Sequence, residues 1–216
     1  MTYSLSPSSL SLLKNCPRCF WLAQKKDIHR PAGIYPSLPY GIDKMLKERS
    51  NYYREHQKLP PELRSLGPTT FLFDHVFMAL WRDSKQGIRW KDEEGNMLRG
   101  AVDDVLQQGN MLCVLEYVTR GFALKEDTLG YYEDQLNLYT FLLHKNGFIV
   151  GDYAYLLFYY PKSMNWKGDI WFHKELHPME VQVDKAEKLF RNAIAVLDGK
   201  MPAASKNCEF CKWKQV

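Results

Sequence analysis

Two cysteine pairs stand at opposite ends of the chain, Cys16-Pro17-Arg18-Cys19 and Cys208-Glu209-Phe210-Cys211. A C-x-x-C turn points two sulfurs the same way, and two such turns supply the four thiolates that a tetrahedral zinc ion or an iron–sulfur cluster takes. The pairs therefore predict that the two ends of the chain meet, which constrains the fold more than any other feature. The spacing alone does not choose between zinc and [4Fe–4S]. The first residues carry no basic stretch followed by an apolar core, so the expected setting is cytoplasmic and reducing, which favours a metal over disulfides. The fifth cysteine, Cys113, lies in an apolar run and reads as a small core residue.

With 216 residues, 45% of them hydrophobic and 25% charged, the chain has the makings of one folded domain over 1–216. Its longest apolar run, 153–160, is too short to span a bilayer, so no membrane partner is expected. A net charge of +4 permits nucleic-acid binding without demanding it. In the N-terminal quarter Lys25, Lys26, His29, Arg30, Lys44, Lys47 and Arg49 interleave with Phe20, Trp21 and Tyr40. That pattern suits phosphates and bases, or equally a solvated face over a buried aromatic stripe.

Ser6-Pro7 predicts a helix start, with the helix running to Asn15 and delivering Cys16. Residues 30–40, with three prolines and Gly33, predict a loop, and 41–56 a helix ended by Pro60-Pro61. Residues 71–81 suit strand or helix. A strand over 97–106, a turn at 107–110 and a strand over 111–118 predict a hairpin buried on both faces. A helix is expected over 131–145 with Gly147 as its stop, then strands over 153–160, ended by Pro161, and 170–175. A last helix near Asp184, with Glu187 as capping-box partner, should bury Ala186, Leu189, Phe190, Ala193, Ile194 and Leu197 and stop at Gly199. The order implies an α/β or α+β sandwich around one mixed sheet.

The candidate chemistry lies on the hairpin. Asp103 and Asp104 sit in its first strand and Glu116 in its second, and carboxylates on neighbouring strands can hold a hard divalent cation. Successive strand residues face opposite sides, so only one of the two aspartates shares a face with Glu116. Surface salt bridges explain such carboxylate pairs more often than metals do. His144 suits a helix C-terminus, His173 and His177 form no ligand pair, and Tyr153, Tyr155, Tyr159 and Tyr160 read as sheet packing or an aromatic platform for single strands.

Order and spacing then bring a family into view. Gly100-x-x-Asp103, Glu116-Tyr117-Val118-Thr119-Arg120-Gly121 and Gln135-x-x-x-Tyr139 together resemble the RecB-like branch of the PD-(D/E)XK nuclease superfamily. The opening serines, Cys16-Pro17 and the segment from Pro202 to Cys211 resemble its iron–sulfur members, the CRISPR-associated RecB-like exonucleases and the AddB-type subunits. The resemblance implies a restriction-endonuclease-like mixed sheet flanked by helices, its ends joined by the four-cysteine centre. Segments 1–30 and 200–216 would form that staple, 41–95 a helical insert and 96–160 the nuclease core. It implies Mg²⁺ or Mn²⁺ on Asp103 and Glu116, DNA placement by Gln135 and Tyr139, and a [4Fe–4S] cluster, with zinc as the alternative, on Cys16, Cys19, Cys208 and Cys211. The implied substrate is DNA, single-stranded or with free ends, with a helicase, CRISPR or repair protein as partner.

This chain departs from the family pattern in three places. The motif lysine is replaced by Val118, whose isopropyl group cannot polarise a water. Either catalysis has been lost and DNA binding kept, or Arg120 or Lys125 has taken over the role, or the lysine was removed deliberately. The cysteines are two and two where one and three are common, which makes Cys19 the fourth ligand. The first acidic motif has only Asp43 as a candidate, His75 reading as a partly buried histidine. The expected function is a metal-dependent DNA nuclease, the alternatives a catalytically silent DNA-binding or adaptor module on the same fold and a zinc-stapled domain with no nucleic-acid role.

Overall fold

The computed structural model describes residues 2–33 and 36–214, with backbone alone at 213 and 214. Strand β1 (Ser4–Leu5) leads into α1 (Pro7–Asn15), which starts as expected: Ser9 N donates to Ser6 Oγ and Ser6 N to Ser9 Oγ, with Pro7 in the first turn. A second helix, α2 (Pro17–Lys26), follows at once because Pro17 again suits a first helical position, and it buries Cys19, Phe20, Leu22 and Ala23. Of the expected loop over 30–40, residues 34 and 35 lie outside the described residues, and α3 (Ser37–Glu55) begins four residues earlier than the apolar pattern predicts.

The segment over 71–81 is both things in turn: β2 (Thr70–Leu72) and a short α4 (Met78–Arg82). Next come β3 (Ile88–Lys91), β4 (Met97–Gly100), β5 (Asp104–Gln108) and β6 (Met111–Thr119). The single strand expected over 97–106 is thus two strands in two sheets. Strand β4 pairs in parallel with β1 and antiparallel with β3, whereas β5 belongs to a five-stranded sheet of order β2-β5-β6 and then two strands introduced below. Between them the chain turns aside at 101–103, where Val102 N donates to Trp81 O. Gly100 permits that turn beside α5 (Glu133–Lys145): a Cβ there would lie 2.5 Å from Tyr139 Cε1.

The larger sheet is completed by β7 (Tyr153–Met164), parallel to β6, and β8 (Ile170–Glu180), antiparallel to β7. Pro161 does not end β7. The β6 partner stops at the Thr119–Tyr159 pair, so beyond it β7 has only β8 beside it, and a proline without N–H sits on the open side with a bulge before Ser163. Helix α6 (Val183–Asp198) buries Ala186, Phe190, Ala193 and Leu197, with Leu189 and Ile194 half-buried. The capping box expected of Asp184 and Glu187 does not form; Gln182 precedes the helix without a side-chain cap, and Glu187 instead pairs with Lys145 and Arg191. The last helix is α7 (Glu209–Lys214).

Strand parity divides the core. Val105, Leu112, Val114, Val118, Ala154, Leu156 and Phe158 share one apolar cluster with residues of α1, α5 and α6. Leu106, Cys113, Leu115, Tyr155, Leu157 and Tyr159 join a second with Leu46 of α3 and Leu63. Each fully buried Leu or Phe contributes about 1.5–3 kcal/mol, so both layers hold the hairpin in register. The protein is a mixed α/β sandwich. Its ends meet, as the cysteine pairs require, and among the described residues no helix is long and apolar enough to cross a membrane.

Candidate functional site

The hairpin register pairs Asp104 with Leu115, which sets Asp103 opposite Glu116 at the open end of the ladder. Parity then sends the two aspartates apart. Asp103 shares the face of Glu116, under α5. Its backbone N donates to Glu116 Oε1 at 3.0 Å, and Tyr117 N donates to Asp103 Oδ2 at 3.0 Å. From α5, Gln135 Nε2 donates to Glu116 Oε2 at 2.7 Å and reaches Tyr139 OH at 3.4 Å. The structure therefore brings Asp103, Glu116, Gln135 and Tyr139 into one hydrogen-bonded group.

Asp104 takes the other face and is fully buried. Its carboxylate accepts from Arg54 of α3, from Arg82 of α4 at 2.7 Å and from Tyr117 OH at 3.0 Å. Arg82 also donates to the Asp103 carbonyl at 2.7 Å and to Ser50 Oγ at 2.8 Å. Two guanidiniums thus compensate a charge that burial alone would make costly, and they lock the start of β5 against α3. Asp104 holds the frame and Asp103 faces the site.

Helix α3 brings a lysine to the same place. Its residues 43, 47, 50 and 54 fall on one stripe by helical spacing, and along that stripe Asp43, Lys47, Ser50 and Arg54 are all partly or fully buried. Lys47 Nζ lies 2.6 Å from Asp103 Oδ1 and 2.8 Å from Asp43 Oδ2. Sequence reasoning did not single out Lys47 for this site; the signal was the run of polar residues at 4-3-4 spacing beside the apolar stripe of Ile42, Leu46 and Tyr53. Arg120 and Lys125 are the other cations the sequence offers in place of the motif lysine. Arg120 donates to Thr128 Oγ1 at 2.8 Å and Lys125 is exposed. Val118 itself is buried in the apolar cluster.

Burial dominates the electrostatics of the carboxylates. Burial, then the neighbouring Asp103 charge, pushes the Glu116 carboxyl well above its ordinary range. Burial also raises Asp103 in spite of Lys47. Lys47 is held above the usual lysine value: burial lowers it, but Asp103 and Asp43 outweigh that. Asp103 and Glu116 offer hard oxygen donors suited to Mg²⁺ or Mn²⁺, with waters completing the shell. Alongside runs a groove of about 410 Å³ lined by Ser6, Ser8, Arg99, Tyr131, Gln135 and Tyr139.

The four terminal cysteines form the second site. Cys16 caps α1 and opens α2, Cys19 lies in the first turn of α2, and Cys208 and Cys211 bracket the start of α7. Cys19 Sγ is 3.5 Å from both Cys208 Sγ and Cys211 Sγ, and Cys16 Sγ is 3.9 Å from Cys211 Sγ, so none is bonded to another. Among the described residues this is the one group of three or more potential ligands whose donor atoms all lie within 4.8 Å. Burial raises the Cys16 thiol, but hydrogen bonds led by the backbone of Cys19 and Ser205 outweigh it and bring it to about 6. Cys211 is pushed strongly upward by burial and by the neighbouring sulfurs. Only a bound cation lets all four be thiolates.

Residues 39–216 match the sequence profile of the PD-(D/E)XK nuclease superfamily. The chain belongs to that superfamily. For a PD-(D/E)XK nuclease-fold protein the implied substrate class is nucleic acid, and divalent metals are the usual cofactors of such proteins. A solved structure described as "Crystal structure of SSO0001" is similar over 100% of this chain and 86% of that one, at 13% identity and a TM-score of 0.45. No curated protein matches the sequence.

The basic residues of the N-terminal quarter, by contrast, mostly find partners inside the molecule. Lys25 donates to Tyr3 OH, His29 pairs with Asp27, Lys44 with Glu48 and Arg49 with Glu62, while Phe20 is fully buried. Tyr155 OH donates to Gln108 and Tyr159 OH to Glu62, so these two tyrosines are packing residues of the sheet. Cys113 is buried against Gly151, where a Cβ would lie 2.7 Å from its sulfur.

Proposed function

We propose that the protein is a metal-dependent DNA nuclease of the RecB-like type, in which Lys47 of α3 does the work of the lysine that Val118 replaces. The observation that carries this is the Lys47 ammonium, 2.6 Å from Asp103 Oδ1 at the end of the hairpin. The whole chain acts as one domain, with 96–160 as the nuclease core. In the hydrolysis a water oxygen attacks phosphorus, the bond to one ester oxygen breaks, and that oxygen leaves with a proton as the hydroxyl of the departing strand. When bound, Mg²⁺ or Mn²⁺ polarises the phosphoryl group and lowers the pKa of its water.

The chain's own groups do the rest. Asp103 and Glu116 present their carboxylate oxygens, and Tyr117 N and Gln135 Nε2 fix the orientation of each. Lys47 offsets the charge that builds on the phosphate and orients the attacking water, with Asp43 steadying the ammonium at 2.8 Å. Lys47 Nζ contacts both Asp103 and Asp43, so a cation held by Asp103 would still leave the ammonium its Asp43 partner. The groove beside Gln135, with hydroxyls at Ser6 and Ser8 and the exposed ring of Tyr131, suits a single strand or a free end. The resemblance to helicase-linked and CRISPR-associated nucleases supports a repair or CRISPR protein as partner.

Cleavage of end-labelled single-stranded DNA with Mn²⁺ tests the reading, with Glu116→Gln as control: cleavage by the natural chain and none by the variant supports it. A chain that binds DNA in a salt-dependent way and does not cut it is the silent adaptor that Val118 favours.

A further inference from the structure

The four cysteines admit two occupants of different size. Around one Zn²⁺ with bonds of about 2.3 Å, the tetrahedron has sulfur–sulfur edges of about 3.8 Å. Around a cubane each thiolate binds a different iron, with sulfides and the other irons between, so the sulfurs stand well beyond that edge. The contacts here are 3.5, 3.5 and 3.9 Å, and every donor atom lies within 4.8 Å of the others. That spacing fits four thiolates on a single ion and is too close for a cubane.

We propose that the four-cysteine centre of this protein is a single-ion zinc site and not an iron–sulfur cluster. The second shell fits a Zn²⁺ carrying four thiolates and two net negative charges. Arg30 Nη2 lies 3.3 Å from Cys208 Sγ, and Ser205 N donates to Cys16 Sγ at 3.4 Å. Arg30 Nε is buried with no hydrogen-bond partner among the described residues, so the anionic centre is what compensates it. All four cysteines are buried, leaving no open coordination position, as in a structural zinc site. The ion is a clamp without redox chemistry: it joins the α1–α2 junction to α7 across nearly the whole chain. This does not depend on the nuclease reading and stands if the protein cuts nothing.

The test is metal analysis of the full chain, purified without oxygen from cells grown with added iron, together with Co²⁺ exchange. The proposal expects about one zinc per chain and no brown chromophore. Co²⁺ should enter at one per chain with the intense visible bands of tetrahedral cobalt thiolate, and Cys19→Ser should lose them while Cys113→Ser keeps them. About four irons with matching sulfide, as isolated or after reconstitution with iron and sulfide, overturns it. So does a folded, metal-free chain that takes up neither zinc nor cobalt at one equivalent. If Cys19→Ser does not fold, the iron, sulfide and cobalt stoichiometries of the natural chain still decide.

Discussion

Lys47 and Asp103 come from parts of the chain 56 residues apart, yet their charged atoms meet at 2.6 Å. The hairpin alone offers Val118 two positions after Glu116, a side chain that cannot move a proton or balance a charge. Helix α3 places an ammonium on the same carboxylate from another direction. A strand without the lysine therefore still has an ammonium beside Asp103.

Lys47→Ala should lower the cleavage rate by about 10²–10³-fold, the usual worth of one preorganised charge-stabilising donor. Mn²⁺ should bind at least as tightly as before, since a competing cation has left Asp103. Isothermal titration with Mn²⁺ beside the cleavage assay checks both. Weaker metal binding would mean that Lys47 supports the fold of the site and not its chemistry.

Asp104→Asn and Arg54→Ala each break a buried charge network and should cost about 3–5 kcal/mol of stability, read by urea unfolding. The loss comes from leaving the remaining guanidiniums or the carboxylate uncompensated. A change near zero would show that water reaches the network.

Gly100→Ala should displace the Tyr139 ring, because its Cβ would lie 2.5 Å from Cε1 and 2.8 Å from Cδ1. Overpacking of this kind costs about 1–3 kcal/mol. Tyr139 borders Gln135, so activity should fall as well, and a Gly100→Ala/Tyr139→Phe double variant should be no better because the ring itself is the obstacle. Denaturation midpoints and cleavage rates on the two variants read this.

Glu62 gives the pH dependence a defined sign. Burial raises its carboxyl, but Arg49 and Tyr159 outweigh burial and hold it below the ordinary value. A carboxyl depressed on folding contributes stability above its unfolded pKa, about 4.3, and loses it as pH falls through the folded value. Thermal melts from pH 6 to pH 3 should therefore show a steeper acid loss for the natural chain than for Glu62→Gln.

Much of this was legible from the residues. The paired cysteines foretold that the ends meet, because two thiols per turn are incomplete as a ligand set. Alternation along the strands foretold that one aspartate would join Glu116, and the structure assigns that place to Asp103. The break at 101–103 had a signal in the strand-disfavouring Gly100, Ala101, Asp103 and Asp104, but the partner that fixes it, the Tyr139 ring against Gly100, comes from a distant helix. Pro161 misled for a related reason: a proline ends a strand only where a neighbour needs its N–H, and β6 has already stopped. Lys47 escaped because its partner is remote in sequence, and an Asp43–Lys47 pair on a helix reads as an ordinary surface pair until the hairpin is laid beside it.

If the working lysine sits on α3 and not on the strand, removing it from α3 silences cleavage and returning one to the strand restores it. The measurement that tests it most directly is Mn²⁺-dependent cleavage of single-stranded DNA by the natural chain, Lys47→Ala, and Lys47→Ala/Val118→Lys, at equal folded concentration. The account predicts cleavage by the first, loss in the second, and recovery in the third, where a lysine returns to the strand. Undiminished cleavage by Lys47→Ala, or none by the natural chain, would contradict it.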